Sequence, residues 1–199
     1  MRYAARGYTL WMRATILLAA ALLLAGCSGS DGAEPEQAPA ASSTTKCDGT
    51  VRDTEIDGDL VVGRDKSCTL DGVTVEGRVT VSPGASLVAR GVDFDEGLSA
   101  HGYDRVELRG SSAGEQSRQV DFVLDGGREL VVRGGPVNGQ FYVLDTTGRV
   151  EISDLVLDLG RVYCARNVHD PVVRNISAET PGVLQGQCAG LKNFGESDF

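Results

Sequence analysis

Four arginines recur at nearly even spacing and are the first candidates for a binding surface. They are Arg90, Arg109, Arg133 and Arg174. Guanidinium groups bind carboxylates and phosphates through paired hydrogen bonds. A row of them would suit an anionic polymer such as a wall teichoic acid or a uronic acid chain. The alternative, which the acidic composition favours, is that the arginines pair with carboxylates on the same face, for example Glu107 and Glu151.

Two short stretches contain residue types that perform acid–base catalysis in other proteins. Residues 100–105 supply His101, Asp104 and Arg105, and residues 167–170 supply His169 and Asp170. Acid–base cleavage requires a fixed separation of two groups across the scissile bond, which a sequence does not define. We therefore assign no catalytic residue, and solvent exposure is the simpler interpretation of both histidines.

The stretch DTEIDGD (53–59) is a candidate calcium site. Asp53, Glu55, Asp57 and Gly58 match the start of an EF-hand loop, but the twelfth position, which should be a bidentate Glu, is Arg64. A looser calcium site is the alternative to a simple role in strand edges and turns. The sequence contains no CxxC, phosphate loop or Gly-x-Ser-x-Gly, and we predict neither a metal site nor a cofactor.

An internal repeat supplies the framework for these residues. Five similar phrases end at the four arginines and at Ser153, at intervals of 19, 24, 20 and 21 residues, a period typical of solenoids. The position before this column is apolar in each phrase: Ala89, Leu108, Val132, Ile152 and Val173. So is the position three before it: Leu87, Val106, Leu130, Val150 and Pro171. This alternation predicts strands with one buried face. The position after the column holds residues that tolerate a left-handed backbone: Gly91, Gly110, Gly134, Asp154 and Asn175.

A second phrase, apolar-x-Gly-x-apolar-x-apolar, runs in parallel with the first. It contains Gly58, Gly77 and Gly139, with weaker matches near Arg118 and Gly160. Each coil is therefore predicted to contain two recognisable strands and a third, irregular side. The length fits six or seven coils. Ordinary hairpin strands in a sandwich are the alternative.

The repeat resembles the right-handed parallel β-helix of the pectin-lyase-like superfold, and more weakly the bactofilin-type domain, over about residues 50–195. This resemblance implies an all-β, single-stranded solenoid in which coils stack in register. The column arginines would then project outward about 4.8 Å apart. Neither acid–base stretch reproduces the Asn-Thr-Asp, Asp-Asp or Gly-His-Gly pattern of the pectinase-type enzymes.

The N-terminal residues predict export. Arg2, Arg6 and Arg13 precede an uncharged run of thirteen residues, 14–26, which is too short for a membrane span but suits a signal peptide. The run ends in LAGC, which resembles the lipobox of bacterial lipoproteins. The resemblance implies that residues 1–26 are removed and that Cys27 carries diacylglycerol on the extracytoplasmic face of the cell membrane. A secreted protein with a chance cysteine is the alternative.

Residues 27–45 are rich in Ala, Ser, Pro and Gly and are predicted to form a flexible tether before a domain over 46–199. Removing the signal peptide takes away three arginines and no carboxylate, which leaves a formal charge of −12. Such a charge argues against nucleic acid or anionic lipid as the main partner. The predicted partners are the membrane, through the lipid anchor, and a cell-wall or extracellular polysaccharide.

Four cysteines remain in the predicted domain: Cys47, Cys68, Cys164 and Cys188. An even number outside the cytoplasm favours disulfides, with three connectivities open. We favour Cys47–Cys68 and Cys164–Cys188, because each pair closes a short loop at one end of the domain. A metal site and free thiols are the alternatives.

Together these features predict a membrane-anchored, non-catalytic scaffold or binding module of the cell envelope. A polysaccharide lyase or hydrolase on the same fold, and a glycan-binding accessory protein that uses the arginines, are the alternative functions.

Overall fold

The computed structural model of the chain describes residues 43–114, 120–178 and 182–189. All regular structure in these residues is β-strand, and the strands stack as a parallel β-solenoid of about seven turns, as predicted. None of the described segments contains a helix with the length and hydropathy that a membrane span requires. The predicted signal peptide, the lipobox with Cys27, most of the tether and Arg118 lie outside the described residues.

Each coil runs through three sides, and we number the strands in chain order. Coils 1 to 4 contain β1 (Thr44–Cys47), β2 (Gly49–Arg52), β3 (Glu55–Ile56), β4 (Asp59–Val62), β5 (Ser67–Asp71), β6 (Thr74–Val75), β7 (Val79–Val81), β8 (Ser86–Arg90), β9 (Asp93–Phe94), β10 (Leu98–His101), β11 (Arg105–Arg109) and β12 (Ser112–Ala113). Coils 5 to 7 and the start of an eighth contain β13 (Val120–Asp125), β14 (Glu129–Val137), β15 (Gly139–Leu144), β16 (Val150–Leu157), β17 (Arg161–Ala165), β18 (Val172–Arg174), β19 (Ser177–Ala178) and β20 (Leu184–Gly186).

The sides are parallel ladders in which each strand pairs with the strand of the next coil. Side 1 has the order β1-β4-β7-β10-β13-β15-β17-β20. Side 2 consists of β2, β5, β8, β11, the N-terminal halves of β14 and β16, and β18. Side 3 consists of β3, β6, β9, β12, the C-terminal ends of β14 and β16, and β19. The third side, for which the sequence predicted irregular structure, therefore also forms short ladders.

The strand pattern produces the core. The apolar positions predicted to point inward, such as Leu87, Leu108 and Ile152, are buried. The position between them is partly exposed in β8, whereas Glu107 in β11 and Glu151 in β16 are buried. Stacking of equivalent positions brings like side chains together. The rings of Phe122 and Phe141 lie parallel with centroids 4.6 Å apart. A coil cannot bury its apolar face alone, so this stacking is what stabilises the fold.

The corner between sides 2 and 3 confirms the predicted left-handed column. Gly91, Gly110, Gly134, Asp154 and Asn175 have φ of 55°, 55°, 72°, 58° and 51°. Asn175 Nδ2 donates a hydrogen bond to Asp154 Oδ1 at 2.9 Å. The two non-glycine residues therefore stabilise each other across neighbouring coils.

The corner between sides 3 and 1 explains the glycine of the second phrase. A Cβ on Gly77 would lie 2.3 Å from the carbonyl carbon of Gly58, and one on Gly160 would lie 2.4 Å from the Gly139 oxygen. The coils approach each other too closely there for a side chain.

Both favoured disulfides are confirmed. Cys47 is bonded to Cys68 and Cys164 to Cys188, with Cα atoms 5.6 and 5.4 Å apart. The first links coil 1 to coil 2 and the second links coil 7 to the start of coil 8. They therefore reinforce the two ends of the described solenoid, where a core has stacking neighbours on only one side.

Candidate functional site

The predicted arginine column exists as one register line on side 2. Arg90 pairs with Arg109, Arg109 with Arg133, Arg133 with Ser153, and Ser153 with Arg174. The line continues back through Asp71 to Arg52 in the first two coils. All four predicted arginines project outward from the ends of their side 2 strands.

A second charged line, which the repeat did not reveal, lies at the other end of the same strands. Arg105 is in register with Glu129. Arg149 directly precedes β16, and its carbonyl accepts the backbone N–H of Leu130, which places it beside Glu129. These residues stand four positions before the arginine column. Their types differ from coil to coil, so no repeated letter marked the line.

Glu107 joins the two lines in coil 4. Its Oε2 lies 2.6 Å from Arg105 Nη2, and its Oε1 contacts Arg109 Nε. Arg105 also reaches across to the next coil, where its Nη1 contacts Glu129 Oε2. One carboxylate is thus held between two guanidinium groups of its own strand.

Glu151 has the same role in coil 6. Its Oε1 lies 3.1 Å from Nη2 of Arg133 in the preceding coil, and its Oε2 contacts Arg149 Nη2. The expected pairing of column arginines with carboxylates is therefore found for Arg109 and Arg133. Neither Arg90 nor Arg174 makes a direct ion pair with another described residue.

The carboxylates lie beneath the guanidinium groups. The side chains of Glu107 and Glu151 are 6% and 8% exposed, whereas those of Arg109 and Arg133 are 49% and 44% exposed. Burial by itself would raise the pKa of Glu107, but Arg105 and Arg109 lower it below its ordinary value. Glu107 in turn raises the pKa of Arg105. The carboxylates of Glu107 and Glu151 are therefore covered by a layer of half-exposed cations.

The first acid–base stretch does not converge on one site. His101 Nδ1 lies 3.5 Å from Asp125 Oδ2, and Asp104 Oδ1 lies 2.9 Å from Arg128 Nε. Arg105 belongs to the Glu107 cluster. His101 is at the end of a side 1 strand, and the other two are at the start of side 2.

The second stretch, His169 and Asp170, is exposed in the loop that leads into the side 2 strand of coil 7. No described interaction gives either residue a chemical partner. Both stretches thus lie along corners of the solenoid.

Three carboxylates gather at the end of side 3. Carboxylate oxygens of Glu55, Asp57 and Glu76 lie within 4.8 Å of one another. The pKa of Glu76 is raised by a hydrogen bond that its protonated carboxyl donates to Glu55, and by the charges of Asp57 and Glu55. Asp53, which begins the EF-hand-like stretch, lies instead at the neighbouring corner with a φ of 46°. All three side chains are exposed, and exposed carboxylates commonly cluster without a cation, so we assign no metal site.

Neither a protein-family model nor a curated protein nor a solved structure matches this chain. The resemblance to pectin-lyase-like and bactofilin-type proteins therefore stays a prediction.

Charge is divided between the sides of the solenoid. Side 3 and the positions directly after its strands carry carboxylates in coils 1 to 3: Glu55, Asp57, Glu76, Asp93 and Asp95. Side 2 in coils 3 to 7, with the position directly before each strand, carries more arginines than carboxylates. The arginines are Arg90, Arg105, Arg109, Arg128, Arg133, Arg149 and Arg174, and the carboxylates are Asp104, Glu107, Glu129 and Glu151. The described part of this acidic protein thus includes a locally basic surface, which we call the arginine face.

Proposed function

We propose that this chain is a membrane-anchored extracytoplasmic lipoprotein whose solenoid is a non-catalytic scaffold or binding module of the cell envelope. The LAGC sequence at Cys27 and the small-residue segment after it support the anchor and the tether. The two disulfides support the location, because cytosolic reductants keep most intracellular thiols reduced.

The observation that carries the proposal is the extended order of the arginine face. Its column positions lie in register over five consecutive coils on one parallel ladder, with arginines at 90, 109, 133 and 174 and Ser153 in coil 6. Catalytic groups instead converge on one reacting atom, within hydrogen-bond reach of it. The acid–base candidates His101 and Asp104 each contact a different partner, Asp125 and Arg128. An extended face whose arginines are partly paired with carboxylates is better suited to binding a ligand along its length than to catalysis at a single site.

Membrane fractionation tests the anchor. We expect Cys27→Ala to move the protein from the membrane fraction to the soluble extracytoplasmic fraction, or to leave it with an uncleaved signal peptide and without incorporated fatty acid. Ser28→Ala is the matched control and should stay lipidated and membrane-bound. Continued incorporation of labelled palmitate by the Cys27→Ala protein would contradict the proposal.

A second measurement tests the absence of catalysis. The purified full chain should release no new reducing ends or unsaturated products from uronate, glucan and wall-polymer substrates over long incubation. Turnover that disappears on His101→Ala or Asp104→Asn would replace the scaffold proposal with the polysaccharide-cleaving alternative.

A further inference from the structure

We propose that the arginine face binds a single linear polyanion, with a carboxylate or phosphate on each repeat unit, laid along the axis of the solenoid. The inference rests on the proposed function as an envelope binding module, and it adds the chemical class and the orientation of the partner. It also assigns a positioning role to Glu107 and Glu151.

Charge complementarity is the first step. Arginines outnumber carboxylates on this face, and Glu107 and Glu151 are buried beneath the guanidinium layer, so an approaching polymer meets the cations first. Side 3 is lined with carboxylates in coils 1 to 3. Attraction to a polyanion is therefore strongest on side 2 and is opposed by carboxylates towards coils 1 to 3, although the chain is acidic overall.

Preorganisation is the second step. Arg109 reaches Glu107 through Nε, and Arg133 reaches Glu151 through Nη2. A guanidinium group has five N–H donors in a fixed fork, so each of these arginines keeps outward donors for a ligand after its pairing. Long side chains normally lose rotamer freedom when they bind, and side chains already held by a carboxylate lose less of it.

Spacing is the third step. Arg90, Arg109 and Arg133 stand on three consecutive coils, and Arg174 follows after the gap at Ser153. With adjacent strands about 4.8 Å apart, the column covers about 19 Å along the axis. A narrow polymer running along the axis meets several guanidinium groups in succession. At coil 3, a polymer running across the strands would leave side 2 and meet the carboxylates Asp93 and Asp95 of side 3, whereas in coils 4 and 5 it would leave the arginines for the uncharged side 3 strands.

The shape of the charge distribution also disfavours broad partners. A bilayer or a nucleic acid duplex would cover more than one side, and at coil 3 it would face the side 3 carboxylates Asp93 and Asp95. A single polymer strand can stay on side 2. We therefore commit to a polysaccharide or polyol chain of the cell surface with one negative charge per unit.

Binding to two defined polymers tests the proposal. The full chain, extracted from membranes in uncharged detergent, is titrated against polygalacturonate and against polyglycerol phosphate, which separate the carboxylate source from the phosphate source. Binding to either one supports the proposal and identifies the anionic group, whereas binding to neither would overturn it. Tighter binding to single-stranded DNA than to both polymers would also overturn it.

Matched double variants locate the surface. Arg109→Gln with Arg133→Gln should weaken binding by about tenfold or more, because two charge-assisted contacts are lost. Arg78→Gln with Arg161→Gln changes the net charge equally on side 1 and should weaken binding by less than about threefold, through the long-range field alone. Equal loss in the two proteins would show that net charge rather than the arginine face is responsible. Far-UV circular dichroism verifies that all variants are folded.

The direction in which Glu107→Gln changes the affinity for the polyanion tests the positioning role of Glu107. Glu107→Gln removes a negative charge, so a purely electrostatic surface would bind the polyanion more tightly. We expect weaker binding by about threefold, because Arg105 and Arg109 lose the charge that holds them. Asp121→Asn, which makes the same charge change on side 1, should bind as well as the wild type or slightly more tightly. Tighter binding by the Glu107→Gln protein would overturn the positioning role.

Failure of this inference is separable from failure of the anchor. The Arg109→Gln, Arg133→Gln protein should still fractionate with the membrane, because the anchor depends on Cys27. Lost polymer binding with normal lipidation would support both proposals. Normal lipidation with no polymer binding by the wild type would overturn only the inference.

Discussion

The contact between Tyr103 and Gly127 allows a sharp test of how the coils pack. Tyr103 follows the left-handed corner residue Gly102 and is 1% exposed. A Cβ built on Gly127 in the next coil would lie 2.0 to 2.4 Å from three atoms of the Tyr103 ring. The ring thus occupies the space that a side chain at 127 would need. Gly127 itself has no positive φ, so its backbone can accept alanine.

The expected magnitude follows from these contacts. Gly127→Ala in the wild type forces a buried ring out of its place, and overpacking of this kind costs typically about 1–3 kcal/mol. In the background of Tyr103→Ala the ring is absent, and the same change should stabilise by up to about 1 kcal/mol through the unfolded chain. Tyr103→Ala itself should cost about 3–5 kcal/mol, as for other buried aromatic side chains. The coupling between Gly127 and Tyr103 is therefore about 1–4 kcal/mol.

A double-mutant cycle measures this coupling. The wild type, both single variants and the double variant are unfolded in guanidinium chloride with the disulfides intact, and far-UV circular dichroism follows the β-structure. Gly91→Ala is the control for glycine replacement, because a Cβ there has nothing within 4 Å but its φ is +55°, so its cost should be the same in both backgrounds. If Gly127→Ala costs the same with and without Tyr103, the described packing of this corner is wrong.

Three further predictions concern titration and crosslinks. Burial raises the pKa of Tyr103 from 10 to about 12, so the free energy of unfolding should fall by about 2–3 kcal/mol as the pH rises between those values. The free energy of unfolding of the Tyr103→Phe protein should fall less over the same range. Parallel curves of stability against pH for the two proteins would contradict this. The pKa of Glu107 is lowered from 4.5, so its contribution to stability is present above that pH and is lost as the pH falls through the lower pKa of the folded state. Glu107→Gln should therefore reduce the fall in the free energy of unfolding at acid pH. An unchanged fall in the variant would contradict this. Replacing Cys164 and Cys188 by alanine, which opens a link across 24 residues, should lower the free energy of unfolding by about 3 kcal/mol; a loss below about 1 kcal/mol would contradict it.

The sequence predicted the solenoid because two periods encode its geometry. Alternation of apolar residues marks which face of a strand is buried, and recurrence of residues such as Gly110 and Asn175 marks the corners. Both signals depend only on residue type at a fixed distance from a corner. That is why the register of Arg90, Arg109 and Arg133 was predictable even though the coils differ in length.

The pairing of side chains was harder to predict, because it depends on contacts between coils. Glu107 pairs with arginines of its own strand, whereas Glu151 also pairs with Arg133 of the preceding coil. The role of Arg149 depends on its position just before a strand, where no repeated pattern applies. Tyr103 fills the space of a glycine one coil away, and nothing in the sequence near Tyr103 indicates that contact.

The absence of an arginine at Ser153 changes the charge of the arginine face in coil 6. In coils 3 to 5 each column arginine is followed by a glycine at the corner, whereas in coil 6 buried Ser153 is followed by Asp154. A hydrogen bond from Asn175 lowers the pKa of Asp154, with further contributions from Ser153, Arg133 and Arg174. In coil 6 the column position therefore has no cation, and the carboxylate of Asp154 follows it, between the coils of Arg133 and Arg174.

Asp154 interacts with the charges of both column arginines that flank coil 6, Arg133 and Arg174, while Arg90, Arg109 and Arg133 form an uninterrupted block on three coils. If the face binds a polyanion, this block is its centre, and coil 6 limits it towards the C-terminal end. Because the attraction falls where Asp154 stands, Arg174→Gln should weaken polymer binding less than Arg109→Gln does. Asp154→Gly should extend the attractive surface to Arg174 and make the two arginines more nearly equivalent.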